Sequence, residues 1–278
     1  LFSTGGAAIK LTALSAWQVA SLRSAIAAAT LLVLLPEARR GWGLRPALVG
    51  VTYAATMICF VLANKMTTAA NTIFLQSTAP LYILLLSPWL LAEPVRRRQL
   101  ACMAALGCGM ALFFVGEQPS WATAPEPLRG NLVAVLSGVF WAFTIIGLRW
   151  LGRSTDGTRP ASAAAAVVLG NLVACLAAAP LALPIRGAAG SDLAVISFLG
   201  VFQIGLAYLF LVRGVARVGA LESSLLLLLE PVLSPLWAWL LHGERPTAWA
   251  LLGGVVIRAA TTVFAATADR TPAADRRD

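Results

Sequence analysis

A single histidine, His242, and only 12 acidic residues among 278 leave little scope for acid–base or metal chemistry. No GxSxG, HExxH or P-loop pattern occurs, and no paired-carboxylate metal motif. The sequence therefore points away from an enzyme and requires no cofactor or metal. Cysteine is equally sparse: Cys59, Cys102, Cys108 and Cys175 all fall in apolar runs without CxxC spacing, which argues against a zinc or disulfide framework. Such residues serve as small apolar packing groups. Charge is scarce too, at 12% of residues against about 25% in a soluble domain. What fills the space is hydrophobic, at 59% with mean hydropathy +0.81, and a water-soluble fold is excluded. The net charge of +9 would suggest nucleic acid in a soluble protein. Here it reads first as membrane topology, with the lipid bilayer and not nucleic acid as the partner.

A bilayer core about 30 Å thick takes roughly 20 apolar residues per helical crossing, and the apolar runs predict ten crossings. Residues 1–11, LFSTGGAAIKL, lack a basic n-region and a cleavage pattern and read as the end of a truncated first helix. Leu14 to Leu35, Pro46 to Ala63, Ala69 to Ala92 and Leu100 to Val115 follow. The stretch Gly116 to Pro127, with Pro119, Pro125 and Pro127, is the one linker by composition. Beyond it lie Gly130 to Leu148, Ala161 to Leu183, Leu193 to Val212, Leu221 to Pro246 and Trp249 to Ala266, then a tail from residue 267 too polar to fold.

The two halves echo each other. Pro80 and Glu93 fall opposite Pro231 and Glu244 at an offset of 151, and Phe2 to Lys10 falls opposite Trp141 to Arg149 at an offset of 139. Repeats of five helices, 1–116 and 129–266 around a 117–128 linker, must be inverted, because five is odd. The basic residues fit this: 14 lie in loops on the side of the termini and five on the other, which places both termini in the cytoplasm.

Inverted repeats around a midplane site are a recurring plan of secondary transporters. Glu230 is the sharpest candidate for that site, since a mid-helix carboxylate costs about 2.5 to 3.5 kcal/mol on insertion scales and faces a cavity or a partner. Pro80 and Pro231 are expected kinks that free backbone carbonyls. Arg23 is either a buried counter-charge to Glu230 or the receptor for an anionic substrate group. Arg258, on a small-residue face with Ala250 and Gly254, reads as a structural ion-pair member. Asn71, Gln76, Asn171 and Gln203 serve either as interhelical glue or as ligand contacts. Tyr82, Trp141, Tyr208 and Trp237 are candidates to line a cavity, whereas Trp17, Trp42, Trp150 and Trp249 sit where interfacial anchors belong. Ala101, Ala105 and Gly109 suit close packing of the fifth helix, with a dimer contact as the weaker reading.

Two halves each ending in Pro, an apolar stretch, then Gly or Ala before Glu (Pro80 to Glu93, Pro231 to Glu244) resemble the EamA-type drug/metabolite transporters. So do ASLRSAIAAATLLVLL around Arg23 and SGVFWAF around Trp141. The resemblance implies an inner-membrane carrier, often an exporter of amino acids, metabolites or drugs, with a central cavity between the halves. Arg258 departs from that family's small or aliphatic pattern. The expected function is alternating-access transport of a small molecule, with proton coupling through Glu230 as one option. A passive pore or lipid scramblase is the alternative.

Overall fold

The computed structural model describes residues 1–90, 97–115, 122–152, 159–185, 187–210 and 230–268. Among the described residues the regular structure is helical. The α-helices are α1 (Gly5–Leu11), α2 (Ala16–Leu34), α3 (Leu44–Met66), α4 (Ala69–Gln76), α5 (Ala79–Leu90), α6 (Arg97–Ala111), α7 (Pro127–Gly152), α8 (Arg159–Ala182), α9 (Gly190–Ser197), α10 (Glu230–His242) and α11 (Ala248–Ala268). α9 runs without a break into a π-helix, Phe198–Leu206. Six stretches are long and apolar enough to cross a membrane: Ala16–Leu34, Leu44–Met66, Ala69–Leu86, Pro127–Gly152, Ala163–Ala182 and Gly190–Phe210. Gln99–Phe114 and Ala248–Val263 are shorter apolar helices. Glu93, Arg96, Arg153, Asp156, Arg213, Arg217, the first part of the predicted ninth span and the tail from 269 lie outside the described residues.

Local chemistry sets the ends. Ser15 and Gln18 form a capping box, each side chain accepting from the other's backbone N–H at 3.2 and 3.0 Å, so α2 starts there. Pro36 stops it, and the Arg39 Nε donates back to the Leu32 carbonyl at 2.7 Å. The predicted fourth span is not one helix: it divides at Ser77 and Thr78 into α4 and α5. Pro80 has no N–H for the Gln76 carbonyl. The chain tightens instead, with Leu81 N–H donating to the Thr78 carbonyl at 2.8 Å and the Thr78 hydroxyl to the Leu75 carbonyl at 2.6 Å.

The helices pack across the two halves of the sequence. α3 lies against α7 and α8, α2 against α8 and the π-helix, α6 against α11, and α4 against α7 and α10. Small residues let the backbones approach. A Cβ on Gly170 of α8 would lie 2.5 Å from Tyr53 Cδ1 and 2.8 Å from the Gly50 carbonyl oxygen of α3. Gly109 of α6 meets α11 in the same way, 3.1 Å from the Gly253 oxygen, so this small-residue position is used inside the chain.

One end of the bundle is sealed by polar groups. Here α1, α3 and α10 finish and α2, α4, α7, α9 and α11 begin. Lys10 Nζ sits 2.9 Å from Glu244 Oε1, with side chains 1% and 2% exposed, and also donates to the Thr67 carbonyl at 2.8 Å and to the Thr123 carbonyl. The second Glu244 oxygen accepts the Ala69 N–H at 2.9 Å, at the N-terminus of α4, while Thr68 caps Asn71 N–H. Asp192 repeats the device. Its Oδ2 accepts from Ala189 N–H at the start of α9, and its Oδ1 accepts from the Thr12 hydroxyl at 2.7 Å and Ala13 N–H at 2.9 Å. Lys65 reaches the Thr12 carbonyl at 2.6 Å.

Asn131 completes this layer. Its amide donates to the Phe113 carbonyl at 3.0 Å, and its oxygen accepts from the Thr67 hydroxyl at 2.8 Å and Asn71 Nδ2 at 3.1 Å. Asn131→Leu would strand these groups in a buried setting and should cost about 1–3 kcal/mol. Thermal unfolding of the purified variant in detergent checks this, and an unchanged midpoint would contradict it.

Candidate functional site

Arg23 is the largest side chain in the fully buried set, at 1% exposure in the middle of α2. A guanidinium so placed needs a partner. Its Nη2 donates to the Met57 sulfur at 3.4 Å, and its Nε has no hydrogen bond. No carboxylate among the described residues lies within ion-pair distance of it, Glu230 included. The expected Arg23–Glu230 pair is therefore not formed.

Its neighbours are phenols. Tyr53, buried in the middle of α3, and Tyr208, just beyond the π-helix, stand edge to face with ring centroids 6.1 Å apart. Both lie within electrostatic reach of Arg23. Asn171 and Tyr208 are the polar neighbours of the Tyr53 hydroxyl, which itself makes no hydrogen bond. Asn171 is buried in α8, spends its amide on the Val167 carbonyl at 2.9 Å, and leaves its oxygen unpartnered. Trp141 packs on the same apolar cluster as Tyr53 and Tyr208. Phe2 continues the aromatic run, T-shaped to Tyr208 at 5.5 Å. Gln203 of the π-helix donates to the Phe2 carbonyl at 3.5 Å, and Trp237 donates to the Ser3 hydroxyl at 3.2 Å. Half-buried Glu230 is near enough to Tyr208 for the two to interact electrostatically.

The structure thus gathers Arg23, Asn171, Trp141 and Tyr208, with Glu230 close to Tyr208. It does not bring the other candidates there. Tyr82 donates to the Met110 sulfur of α6 at 3.3 Å. Gln76 donates to the Ser137 hydroxyl of α7 at 2.8 Å, and Asn71 belongs to the polar end. Pro80 marks the α4–α5 break, and Pro231 is buried beside Glu230. Sequence reasoning missed Tyr53 and Met57. Tyr53 was within reach, being one of three tyrosines and lying at mid-span in the third crossing.

The arrangement offers donors, namely the Arg23 Nε and the Tyr53 hydroxyl, beside the free acceptor oxygen of Asn171, within an aromatic wall. Such groups can hold and orient a polar ligand; among the described residues of the cluster there is no nucleophile–base pair.

The EamA-like transporter family model matches residues 1–115 and again 128–266. The chain belongs to the EamA-like transporter family. Together with the apolar helices, this makes it a multi-pass membrane protein of a transporter family. The crystal structure of a protein 20% identical to this EamA-like chain superposes with a TM-score of 0.57, covering 97% of this chain and 95% of its own. At that identity the likeness is one of fold. No curated protein matches the EamA-like chain.

Proposed function

We propose that the chain is a secondary carrier of ten transmembrane helices, two inverted repeats of five, that exports small metabolites, amino acids or drugs by alternating access. The observation that carries this reading is the polar seal at one end of the bundle. Lys10 and Glu244 are buried together at one end. The offsets that relate the halves make Arg149 and Glu93 their counterparts. Arg149 is exposed near the opposite end, on the last turn of α7, and Glu93 lies outside the described residues. A carrier built from inverted repeats around a midplane site, closed on one side of its cycle, has such a seal at one end of the bundle.

The packing supports the same reading. α2 on α8 and α6 on α11 each set a helix against its own counterpart, and α3 on α8 is answered by α2 on the π-helix. With the termini in the cytoplasm of an inner membrane, as the basic residues suggest, the sealed end faces outward and the solute enters from the cytoplasm.

The test is counterflow. Proteoliposomes of the protein, loaded with a mixed pool of unlabelled amino acids and organic acids, should accumulate a labelled member transiently and saturably. Linear flux indifferent to internal solute would replace the carrier with a pore or scramblase. If Glu230 carries the coupled proton, Glu230→Gln counterflow should lose its pH dependence. An unchanged pH profile removes Glu230 from coupling.

A further inference from the structure

We propose that Arg23 and Tyr53 form the docking point for a carboxylate on the transported solute, an apolar or aromatic monocarboxylate; this rests on the carrier reading. The first ground is the state of Arg23. Its guanidinium is 1% exposed, its one hydrogen-bond contact is a thioether, and its Nε is unpartnered. A thioether is a weak acceptor, so an arriving anion displaces it at little cost. The second ground is Tyr53, equally buried on a different helix and within electrostatic reach of that guanidinium, with a hydroxyl that makes no hydrogen bond of good geometry and has only Tyr208 and Asn171 as polar neighbours. A buried cation on α2 and a buried phenol on α3 thus lie within electrostatic reach of each other.

Chemistry selects the ligand. A guanidinium fork matches the two oxygens of a carboxylate in parallel hydrogen bonds. One cation with phenols and an amide around it, and the Glu230 carboxylate beyond Tyr208, balances at most one further negative charge, whereas a phosphate dianion needs additional cations, and the described residues of the cluster hold none. The rings of Tyr53, Tyr208, Phe2 and the nearby Trp141 favour an apolar or aromatic body on the solute. Neither Arg23 nor Tyr53 is held by the polar end of the bundle, so both are free to engage the solute without breaking that seal.

The probes are benzoate, phenylacetate and isovalerate, set against benzamide, benzylamine and inorganic phosphate, read as ligand-dependent thermal stabilisation of the full chain in detergent. At least one carboxylate should stabilise the protein more than benzamide, benzylamine and phosphate do. Arg23→Met should weaken that carboxylate's apparent affinity about ten- to a hundredfold, the loss expected for hydrogen bonds to a charged group. Arg23→Lys should retain part of it, and Tyr53→Phe should weaken it less than Arg23→Met.

Arg23→Met without ligand should melt no lower than the parent, because it removes an uncompensated buried charge. No response to any of the three carboxylates overturns the proposal. Equal stabilisation by benzamide, a larger effect of phosphate, or a carboxylate response that survives Arg23→Met does the same. A large drop in the melting point of Arg23→Met, reversed by adding Glu230→Gln, would assign Arg23 to a structural pair instead. Carboxylate stabilisation without saturable counterflow would sink the carrier reading and leave the site standing. Counterflow indifferent to Arg23→Met would sink the site and leave the carrier.

Discussion

Lys10→Met should lower the stability of the protein by about 3–5 kcal/mol, because it leaves the Glu244 carboxylate buried with no counter-charge. Glu244 is fixed in place by its second oxygen, which accepts the Ala69 N–H, so it cannot swing out to water without uncapping α4. Glu244→Gln should cost less. Its amide oxygen still accepts from Ala69, and Lys10 retains the Thr67 and Thr123 carbonyls. The double variant Lys10→Met with Glu244→Gln should recover most of the loss suffered by Lys10→Met alone, a coupling at the upper end of the roughly 0.5–3 kcal/mol seen for residues in contact. Thermal or denaturant unfolding of the four proteins in one detergent measures it. Additive losses would mean that the pair contributes no more than its separate parts.

The second large effect is expected at Gly170. Valine there places a Cβ 2.5 Å from the Tyr53 ring and 2.8 Å from the Gly50 oxygen, and one of those contacts is backbone. α8 must then move off α3, at a cost of about 1–3 kcal/mol for overpacking. The functional loss should exceed the stability loss, since Tyr53 and Asn171 face each other across this crossing. Counterflow and carboxylate stabilisation should both disappear in a Gly170→Val protein that still elutes as a folded species. Gly152→Val, where an added Cβ meets nothing within 4 Å, is the control and should leave both intact. Full activity in Gly170→Val would show that the close approach is not required.

The helical, membrane-spanning character was legible because a 20-residue apolar run has few alternatives. So was the buried, mid-helix position of Arg23, which follows from counting residues along α2. What meets what was not legible. Lys10 and Glu244 belong to opposite ends of the chain, and helical spacing constrains neighbours on one helix only. Asn71 and Gln76 were placed inside spans correctly, yet their partners Asn131 and Ser137 come from α7.

Glu244 did carry a signal. An acid just past the C-terminus of a helix opposes that helix's own dipole. Gly243, at φ 66°, turns the chain back there. Glu244 is better understood as the cap of another helix, and α4 is that helix. The α4–α5 break was half legible: Pro80 marked it, but the Thr78 side chain that completes it depends on local geometry.

The π-helix at Phe198–Leu206 decides which face of its helix Tyr208 takes. Counted at the α-helical 100° per residue, Tyr208 falls roughly half a turn from Leu199, on the wrong side of the helix. The wider winding, at roughly 80° per residue, brings it to within about an eighth of a turn of that buried face. Nine residues of unusual winding therefore act as a rotary offset. They turn one tyrosine to the side of the helix that faces α2, within electrostatic reach of its guanidinium.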